Sequence, residues 1–457
     1  MQRPNKWRAS LACHVPRFLA AVLVVLGSVF SALAASGDLD PSFGNGGRVF
    51  TKIPRPAGFE GFYPNVEGVT VQTDGKILVC GRFWEDGISY WYGTFLVRYL
   101  PDGTLDPAFG TNGMVAVIGE GYPNGAHAIG ADMALQPDGK IVLIGQVAVA
   151  QGILVQRYTS SGQVDTAFGN NGSTRVNGRA FPEGTSVAIQ PDGKIVGVGW
   201  EYDPRAKPYY DAILIFRLNA NGSPDKSFGA EGTGKIFVKG GYDGATVLLP
   251  PDGKIVVVGT LANFTVAPPA LLIARYNPDG LPDSSFGAGG RVTYPINDRT
   301  YISAAALQAD GKIVVAKGSQ GIARFNSDGT LDQSFAINEV APFGSVFYSY
   351  SSAVLIQSDG RIVGIGGPDF SLSRFHADGS ADSAFGTAGR ARFTINVGGT
   401  IDAQASAAAL QPDGKIVVAG YFGHYFTDSH DTIGVIRVLS SGPSGPGGSR
   451  RRAVTRP

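Results

Sequence analysis

The sequence Gln190-Pro191-Asp192-Gly193-Lys194-Ile195-Val196 decides the fold, because the same phrase recurs, whole or nearly so, seven times along the chain. Self-similarity at a fixed period is the signature of a repeat architecture. A unit of about 57 residues holds about four strands, which is the size of a propeller blade rather than of a solenoid turn. The copies are centred on Gly75, Gly139, Gly193, Gly253, Gly311, Gly360 and Gly414.

The residues around Gly193 predict how one unit folds. Residues 186–190 and 194–199 are short apolar runs. The turn between them is tight, since proline presets φ, aspartate hydrogen-bonds locally and glycine accepts a positive φ. Residues 212–218 and 232–237 supply two more strands rich in apolar and β-branched side chains. We therefore expect a four-stranded antiparallel meander, covered on both faces by neighbouring units.

Three further residues recur once per unit: an arginine after the third strand, an aspartate before a Phe-Gly pair, and the phenylalanine itself. One interpretation makes the aspartates calcium ligands. The other makes each aspartate the cap of an Asx-turn, paired with the arginine, while the phenylalanine fills the gap between blades. The loops lack the dense oxygen-ligand spacing of calcium loops, which favours the second interpretation. The residues are Arg98, Arg157, Arg217, Arg275, Arg324, Arg374 and Arg437; Asp40, Asp106, Asp165, Asp225, Asp283, Asp332 and Asp382; and Phe43, Phe109, Phe168, Phe228, Phe286, Phe335 and Phe385.

The two ends of the repeat array predict how a ring would close. In each unit the fourth strand follows the Phe-Gly pair. Such a strand, near Val49, precedes the first Asp-Gly hairpin, whereas the last unit ends near Ile436 with no strand of this kind after it. The sequence therefore predicts an all-β fold, a seven-bladed β-propeller of four-stranded antiparallel blades, closed 3+1 by the N-terminal strand. Closure of this kind removes free sheet edges.

The units resemble the delta-60 repeat family. The resemblance rests on AALQPDGKIVVAG (408–420), RYNPDG (275–280) and LDPAFG (105–110), and extends over about 39–438. It implies a bacterial secreted or surface protein whose repeats are similar to those of NHL-type propellers, and it implies no reaction. Two departures are Ala336 in place of the glycine after Phe335, and Leu249-Pro250-Pro251 in place of Leu-Gln-Pro.

The chain ends predict export and a disordered tail. Four basic residues precede an apolar run over 18–33, and Ala32-Leu33-Ala34 has the small-x-small pattern that a signal peptidase needs. We expect a signal peptide over 1–34, a retained membrane anchor being the alternative, and a location that is secreted, periplasmic or on the cell surface. The propeller is expected over 35–440. Residues 441–457 are rich in Gly, Ser, Pro and Arg and read as disordered. Cleavage leaves Cys80 as a single core thiol, so no internal disulfide is expected.

Composition and the innermost strands exclude several kinds of site. The formal net charge is +1, which gives no footprint for nucleic acid or an anionic membrane. By analogy with NHL-type propellers, the strand before each Asp-Gly hairpin should line the central channel. The residues of these strands are small and apolar, and no histidine or carboxylate recurs among them. We therefore expect no cofactor, metal or catalytic residue there. A monomer is expected.

The irregular loops, which antiparallel connectivity collects at the end of the ring opposite the Asp-Gly hairpins, are the candidate binding surface. Loops carry function when a rigid scaffold presents them, and three of these are unusually aromatic. Rings with interleaved polar groups suit sugar faces or protein hot spots; alternatively, they only pack the loops onto the ring. The candidate residues are Phe83, Trp84, Tyr90, Trp91, Tyr92, Trp200, Tyr202, Tyr209, Tyr210, Tyr421, Phe422, His424, Tyr425 and Phe426.

Three functions are compatible with these features. The first is an exported, non-enzymatic propeller that presents a loop surface to a protein or a glycan. The second is a propeller hydrolase or lyase acting on an extracellular substrate, which needs histidines and carboxylates clustered at the channel mouth. The third is a structural component of the cell surface.

Overall fold

The computed structural model describes residues 34–55, 62–85, 91–118, 128–147, 152–178, 181–203, 210–263, 267–296, 304–317, 321–335, 352–366, 369–395, 403–422 and 431–441. They belong to one compact unit that begins at Ala34. The expected signal peptide and nearly all of the expected tail lie outside these residues. Within them, no helix has the length and hydropathy to span a membrane.

The described residues form seven antiparallel sheets, and the chain is an all-β seven-bladed propeller. Each sheet is one blade, and we number the blades from the first Asp-Gly hairpin. The strands of blades one to three are β2 (Phe62–Val71), β3 (Ile77–Glu85), β4 (Trp91–Tyr99) and β5 (Met114–Ile118); β6 (Ala128–Leu135), β7 (Ile141–Val147), β8 (Ile153–Tyr158) and β9 (Ser173–Val176); and β10 (Phe181–Ile189), β11 (Ile195–Asp203), β12 (Tyr210–Leu218) and β13 (Lys235–Lys239).

The remaining four blades follow the same order. Blade five has three described strands, and residues 336–351, which follow them, lie outside the described residues. The strands are β14 (Gly241–Leu248), β15 (Ile255–Asn263), β16 (Ala267–Tyr276) and β17 (Arg291–Pro295); β18 (Ala304–Leu307), β19 (Ile313–Ala316) and β20 (Ile322–Phe325); β21 (Ser352–Ile356), β22 (Ile362–Gly366), β23 (Leu372–Phe375) and β24 (Arg390–Ala391); and β25 (Ala403–Leu410), β26 (Ile416–Phe422) and β27 (Thr432–Val438), joined by β1 (Arg48–Lys52).

The first strand of each blade lies innermost. Each of these strands contacts the first strand of the next blade, in the order β2, β6, β10, β14, β18, β21, β25 and back to β2. The expectation that the strands before the Asp-Gly hairpins form the inner layer is therefore met. The strands are longer than the sequence predicted on the irregular-loop side, since β10 and β11 pair as far as Phe181 and Tyr202.

The strand at the beginning of the described chain pairs with the last strand of the array. β1 runs antiparallel to β27, with Arg48 opposite Ile436 and Val49 opposite Val435. The sheet order is therefore β1-β27-β26-β25, which is one N-terminal and three C-terminal strands.

The core lies between blades, where the faces of neighbouring sheets meet. One cluster joins Leu78, Cys80 and Leu96 of blade one to Ile141 and Leu143 of blade two. The Cys80 side chain is fully buried, as predicted, and burial raises the pKa of its thiol well above the ordinary value. Another cluster joins blades seven and one around Val79, Val97 and Val435.

A buried hydrogen bond ties β1 to blade one. The Tyr99 hydroxyl donates to Thr51 Oγ1 at 2.7 Å, and both side chains are buried. Thr51 belongs to the sheet of blade seven and Tyr99 to that of blade one, so this bond crosses the junction between the blades at the two ends of the array.

Replacement of Thr51 by valine should lower the free energy of unfolding by about 1–3 kcal/mol, because it leaves the Tyr99 hydroxyl buried without its acceptor. The Tyr99→Phe variant is the matched control. The double variant should lose less than the sum of the two, since neither polar group is then stranded. Urea unfolding of the four proteins measures this coupling. Additive losses, or a neutral Thr51→Val, would contradict the role of the bond.

Candidate functional site

The end of the ring that carries the Asp-Gly hairpins is built around one ion pair per blade, whose aspartate is buried in every blade. In blade three, Asp225 Oδ1 accepts from the Ser227 amide at 3.0 Å, which closes an Asx-turn. Asp225 Oδ2 accepts from Arg217 Nε at 2.7 Å. The Arg217 guanidinium lies 4.6 Å from the centroid of the Phe228 ring. We call this arginine, aspartate and phenylalanine the latch.

Each latch reaches into the following blade. Arg217 Nη1 donates to the Pro278 carbonyl oxygen of blade four. The same geometry recurs in all seven blades, with Nε to Oδ2 distances of 2.6–2.9 Å and guanidinium to ring distances of 4.4–4.7 Å. The acceptor carbonyls, in order from Arg98 to Arg437, belong to Ser160, Ala220, Pro278, Ser327, Ala377, Ser440 and Pro101.

The lysine of the repeated hairpin phrase completes the charge balance. Lys194 Nζ lies 3.5 Å from Asp225 Oδ2, and the other hairpins place a lysine, or Arg361 in blade six, near the same oxygen. Both carboxylate oxygens are thus already bonded, and two cations stand beside each aspartate. The interpretation as a capped Asx-turn paired with arginine is confirmed, and the two cations would repel a calcium ion.

The latch holds its aspartates ionised. Burial acts to raise the pKa of Asp225, but the hydroxyl and amide of Ser227 and the charge of Arg217 outweigh it and lower the pKa to about 2. The pKa values of the other six latch aspartates are also lowered.

The Asp225→Asn variant should lose about 3 kcal/mol of unfolding free energy, because the asparagine keeps the Asx-turn but leaves the Arg217 charge buried without its counter-ion. Asp192→Asn is the matched control, since Asp192 is an exposed turn residue beside Lys194, and it should cost less than about 1 kcal/mol. Chemical denaturation at pH 7 measures both. Equal losses would show that burial of the pair contributes nothing.

Stability should fall in acid through the latch. Since the folded pKa of Asp225 lies at about 2, below the ordinary 3.8, its contribution is fully present above pH 3.8 and is lost as pH falls through about 2. Thermal unfolding of the wild type at intervals between pH 6 and pH 2 should show this loss, with a shallower decline in Asp225→Asn. An identical pH dependence in the two proteins would contradict it.

The irregular-loop end holds the aromatic candidates predicted from the sequence. Trp84 and Trp91 lie at opposite register positions on β3 and β4, and Tyr63 lies opposite Trp84 on β2. In blade three, Trp200 lies opposite Glu183. The backbones of Tyr92, Tyr202, Tyr210 and Phe422 lie in the adjoining strand ends, whereas Tyr90, Tyr209, His424, Tyr425 and Phe426 fall outside the described residues.

Two of the candidates are held inside the fold or against a neighbour. Phe83 is fully buried in the cluster shared by blades seven and one, so it is a core residue with no exposed face for a ligand, and we withdraw it from the candidate surface. Successive side chains of a strand point to opposite faces, so the Phe83 side chain lies on the other face of β3 from Arg82, where its ring packs into the core. The Tyr421 hydroxyl donates to Gln404 Oε1 at 2.9 Å, and the Tyr421 side chain is half-buried.

A charged group that the sequence pattern did not reveal lies at this end of the inner strands, and we call it the mouth cluster: Asn65, Glu67, Arg82 and Glu183. Glu67 Oε1 accepts from Arg82 Nε at 2.6 Å and from Asn65 Nδ2 at 2.8 Å. Arg82 Nη1 lies 3.5 Å from Glu183 Oε1, so blades one and three meet here across blade two. Burial raises the pKa of Glu67, aided by Glu183 and opposed by Arg82.

A second carboxylate lies nearby on the inner layer. Asp132 accepts from the Met133 amide at 2.8 Å and from the Val187 amide of the next blade at 3.0 Å. Burial nevertheless raises its pKa to about 6. Asp132 follows a β-bulge between Gly130 and Asp132, and Glu67 is itself the residue left over at the corresponding bulge between Val66 and Gly68. A bulge re-aims side chains, which is why strict alternation did not reveal them.

The repeat geometry agrees with a family match. A family model described as "Domain of unknown function (DUF5122) beta-propeller" matches residues 72–109, 136–168, 190–228, 251–286, 308–335, 357–385 and 411–442, just over half of the chain. The chain belongs to this family. Most of the DUF5122 segments run from the glutamine of the hairpin phrase to the phenylalanine of the latch, so each of them includes the second and third strands of its blade.

The other comparisons give weaker matches. No curated protein sequence matches the chain. Solved structures similar to it include the WD40 β-propeller domain of Doa1 (12% identity, 82% of this chain and 94% of that chain covered, TM-score 0.41) and the computationally designed protein Ika8 (11%, 83% and 98%, TM-score 0.38). A gluconolactonase from Xanthomonas campestris is also similar (14%, 65% and 82%, TM-score 0.32). Likeness at this level indicates nothing about activity.

Proposed function

We propose that this DUF5122 propeller is an exported, non-enzymatic scaffold whose irregular-loop end binds a protein or a glycan. The observation that carries the proposal is the placement of Trp84, Trp91 and Tyr421. All three lie at strand ends on the side away from the Asp-Gly hairpins, on blades one and seven. These blades are neighbours, because β2 contacts β25 and β26.

The chemistry of this end suits recognition. Aromatic residues offer a large contact area at low entropic cost, and their faces accept the C–H surface of a sugar as readily as a protein side chain. The mouth cluster adds fixed donors and acceptors, since Arg82 and Glu183 lie half-buried at the same end. Rigid strands hold both sets of residues, which reduces the ordering cost of binding.

Export is part of the proposal. It rests on the basic residues and apolar run of the first 34 residues and on the resemblance to delta-60 repeats of bacterial surface proteins. The ring, as a self-contained unit, is proposed to act as a monomer without a cofactor.

One observation favours the hydrolase or lyase as a second candidate: burial raises the pKa of Glu67 above its ordinary value while Arg82 lies beside it, and a carboxyl group perturbed in this way is typical of a general acid or base. In that case turnover of an extracellular substrate would be lost in Glu67→Gln and retained when the aromatic residues are removed.

The Trp84→Ala/Trp91→Ala variant should lose glycan-array or pull-down binding by about 30-fold, the effect of deleting a hot spot worth about 2 kcal/mol. Val164→Ala is the matched control, because Val164 is 40% exposed beside Asp165 of the blade-two latch, at the Asp-Gly hairpin end, and its removal should leave binding unchanged. Wild-type protein that binds nothing in either assay would favour the structural surface component. Binding that survives the double variant would refute the proposed surface.

A further inference from the structure

We propose that Asn45 is a modification site: its side chain cyclises onto the Gly46 amide nitrogen, and hydrolysis of the ring leaves an aspartyl or isoaspartyl residue just before β1. The site is independent of the proposed loop surface. Asn45 and Gly46 are both exposed, in the turn between Phe43, the latch phenylalanine of blade seven, and β1. An asparagine followed by glycine is prone to this reaction, because glycine has no Cβ to shield its nitrogen.

The dipeptide alone does not single out Asn45, because the sequence holds six Asn-Gly pairs. One of them, Asn124-Gly125, lies outside the described residues. The others differ in whether the glycine N–H is already bonded, since a bonded N–H must give up its acceptor before the nitrogen can attack. The described pairs begin at Asn45, Asn112, Asn171, Asn177 and Asn221.

The position of the pair within its turn leaves the Gly46 amide without an acceptor. In the turn after Phe109, the Gly113 amide donates to the Phe109 carbonyl oxygen at 2.9 Å. In the turn after Phe43, the equivalent donor is Gly47, at 2.8 Å, which is one residue beyond Gly46. The Gly46 amide itself makes no hydrogen bond to a described residue. The Asn-Gly pair at Asn45 is therefore shifted by one residue relative to the pair at Gly113.

Two other pairs have a bonded glycine amide. The Gly172 amide donates to the Phe168 carbonyl oxygen at 2.8 Å. The Gly222 amide donates to the Asn219 carbonyl oxygen, also at 2.8 Å. In both turns the fold holds the N–H that would have to be released, so we expect slow reaction at Asn171 and Asn221.

The side chain of Asn45 is also less restrained than that of Asn221. Asn221 Oδ1 accepts from the Ser223 amide at 3.0 Å and from the Ser223 hydroxyl at 2.7 Å, which holds the carboxamide in an Asx-turn. The Asn45 side chain makes no hydrogen bond to a described residue. It can therefore rotate toward the Gly46 nitrogen without breaking a bond.

The pair Asn177-Gly178 is the nearest competitor, because the Gly178 amide also makes no hydrogen bond to a described residue. A Cβ placed on Gly178 would collide with Glu201 Oε2, whereas one placed on Gly46 would meet no heavy atom within 4 Å. The attacking nitrogen must first lose its proton, and a carboxyl group beside it opposes the negative charge that results. We therefore expect Asn45 to react faster than Asn177.

The reaction needs only water. The Gly46 nitrogen gives its proton to solvent and bonds to Cγ of Asn45, and Nδ2 leaves as ammonia. Water then opens the cyclic imide at one of its two carbonyl carbons. Opening at Cγ gives aspartate. Opening at the main-chain carbon gives isoaspartate, whose main chain runs through Cβ and is longer by one carbon.

The turn that the reaction alters also fixes the closing strand. The Asn45 amide donates to the Arg48 carbonyl oxygen at 2.9 Å. The Arg437 amide of β27 donates to the Gly47 carbonyl oxygen at 3.0 Å. A longer main chain at residue 45 cannot keep both bonds in place, so conversion to isoaspartate should loosen β1 from β27.

Peptide mapping by mass spectrometry, after incubation of the folded protein at mildly alkaline pH, tests the site. Asn45 should convert about tenfold faster than Asn112 and Asn171, the factor for one hydrogen bond that does not have to break. In urea the pairs should react at similar rates. Gly46→Ala is the matched variant: Ala388 holds the same position of its turn at a φ of 52°, so the fold should be kept, while the added methyl group slows the attack.

Hydrogen exchange of the incubated protein tests the effect on closure. The isoaspartyl fraction should exchange the amides of β1 faster than the unmodified fraction does. Asn45→Gln, incubated in the same way, should keep the exchange of fresh protein, because the longer side chain forms the corresponding ring far more slowly.

Two results would overturn the proposal. One is a rate at Asn45 in the folded protein that does not exceed the rates at the other four described pairs. The other is an isoaspartyl fraction whose β1 amides exchange no faster than those of the unmodified protein. Neither Asn45 nor Gly46 belongs to the proposed loop surface, so failure here leaves that surface untouched.

Discussion

The ring depends on a constraint that follows from burying charge: each latch arginine must find its counter-ion and its hydrogen-bond acceptors inside the fold. Arg217 meets this requirement with Asp225, the Phe228 ring and a carbonyl oxygen of the next blade. Because one hydrogen-bond acceptor belongs to the next blade, a blade that shifted out of place would leave a guanidinium N–H without its acceptor, at a cost of about 1.5–3 kcal/mol. The latch therefore both builds the individual blade and orients the next one.

This constraint separates the molecule into regions with different freedom. The end with the Asp-Gly hairpins also carries the latches, whose charged residues are bonded to other residues of the fold. The lowered pKa of Asp225 reflects these bonds, since Ser227 and Arg217 stabilise its ionised form. Among the described residues, the irregular-loop end has no group that repeats in every blade, and there the aromatic strand ends and the mouth cluster differ from blade to blade.

The sequence was sufficient to predict the repeat, the blade, the Asx-turn and the pairing of arginine with aspartate, because all of these are encoded within one period. It could not show that each arginine also reaches the next blade, since that bond spans 61 residues between Arg217 and Pro278 and depends on the ring. The prediction that Phe83 belongs to the binding surface was wrong, because the sequence does not show which face of β3 each aromatic side chain occupies. The sequence did not reveal Glu67 because it lies at a β-bulge, where alternation fails. It did not reveal Glu183 because that residue lies two blades further along the chain and meets Arg82 only in the folded ring.

The central claim is that the blades form one cooperative ring, in which the Arg437 latch and the pairing of β1 with β27 hold the two ends of the array together. Native-state hydrogen exchange at increasing urea tests it most directly. If the claim holds, the amides of β1 that face β27 exchange only through global unfolding, with the same urea dependence as those between β26 and β27. If β1 instead exchanges through local fraying that is independent of urea while β26 and β27 stay protected, the ends are not locked and the account is contradicted.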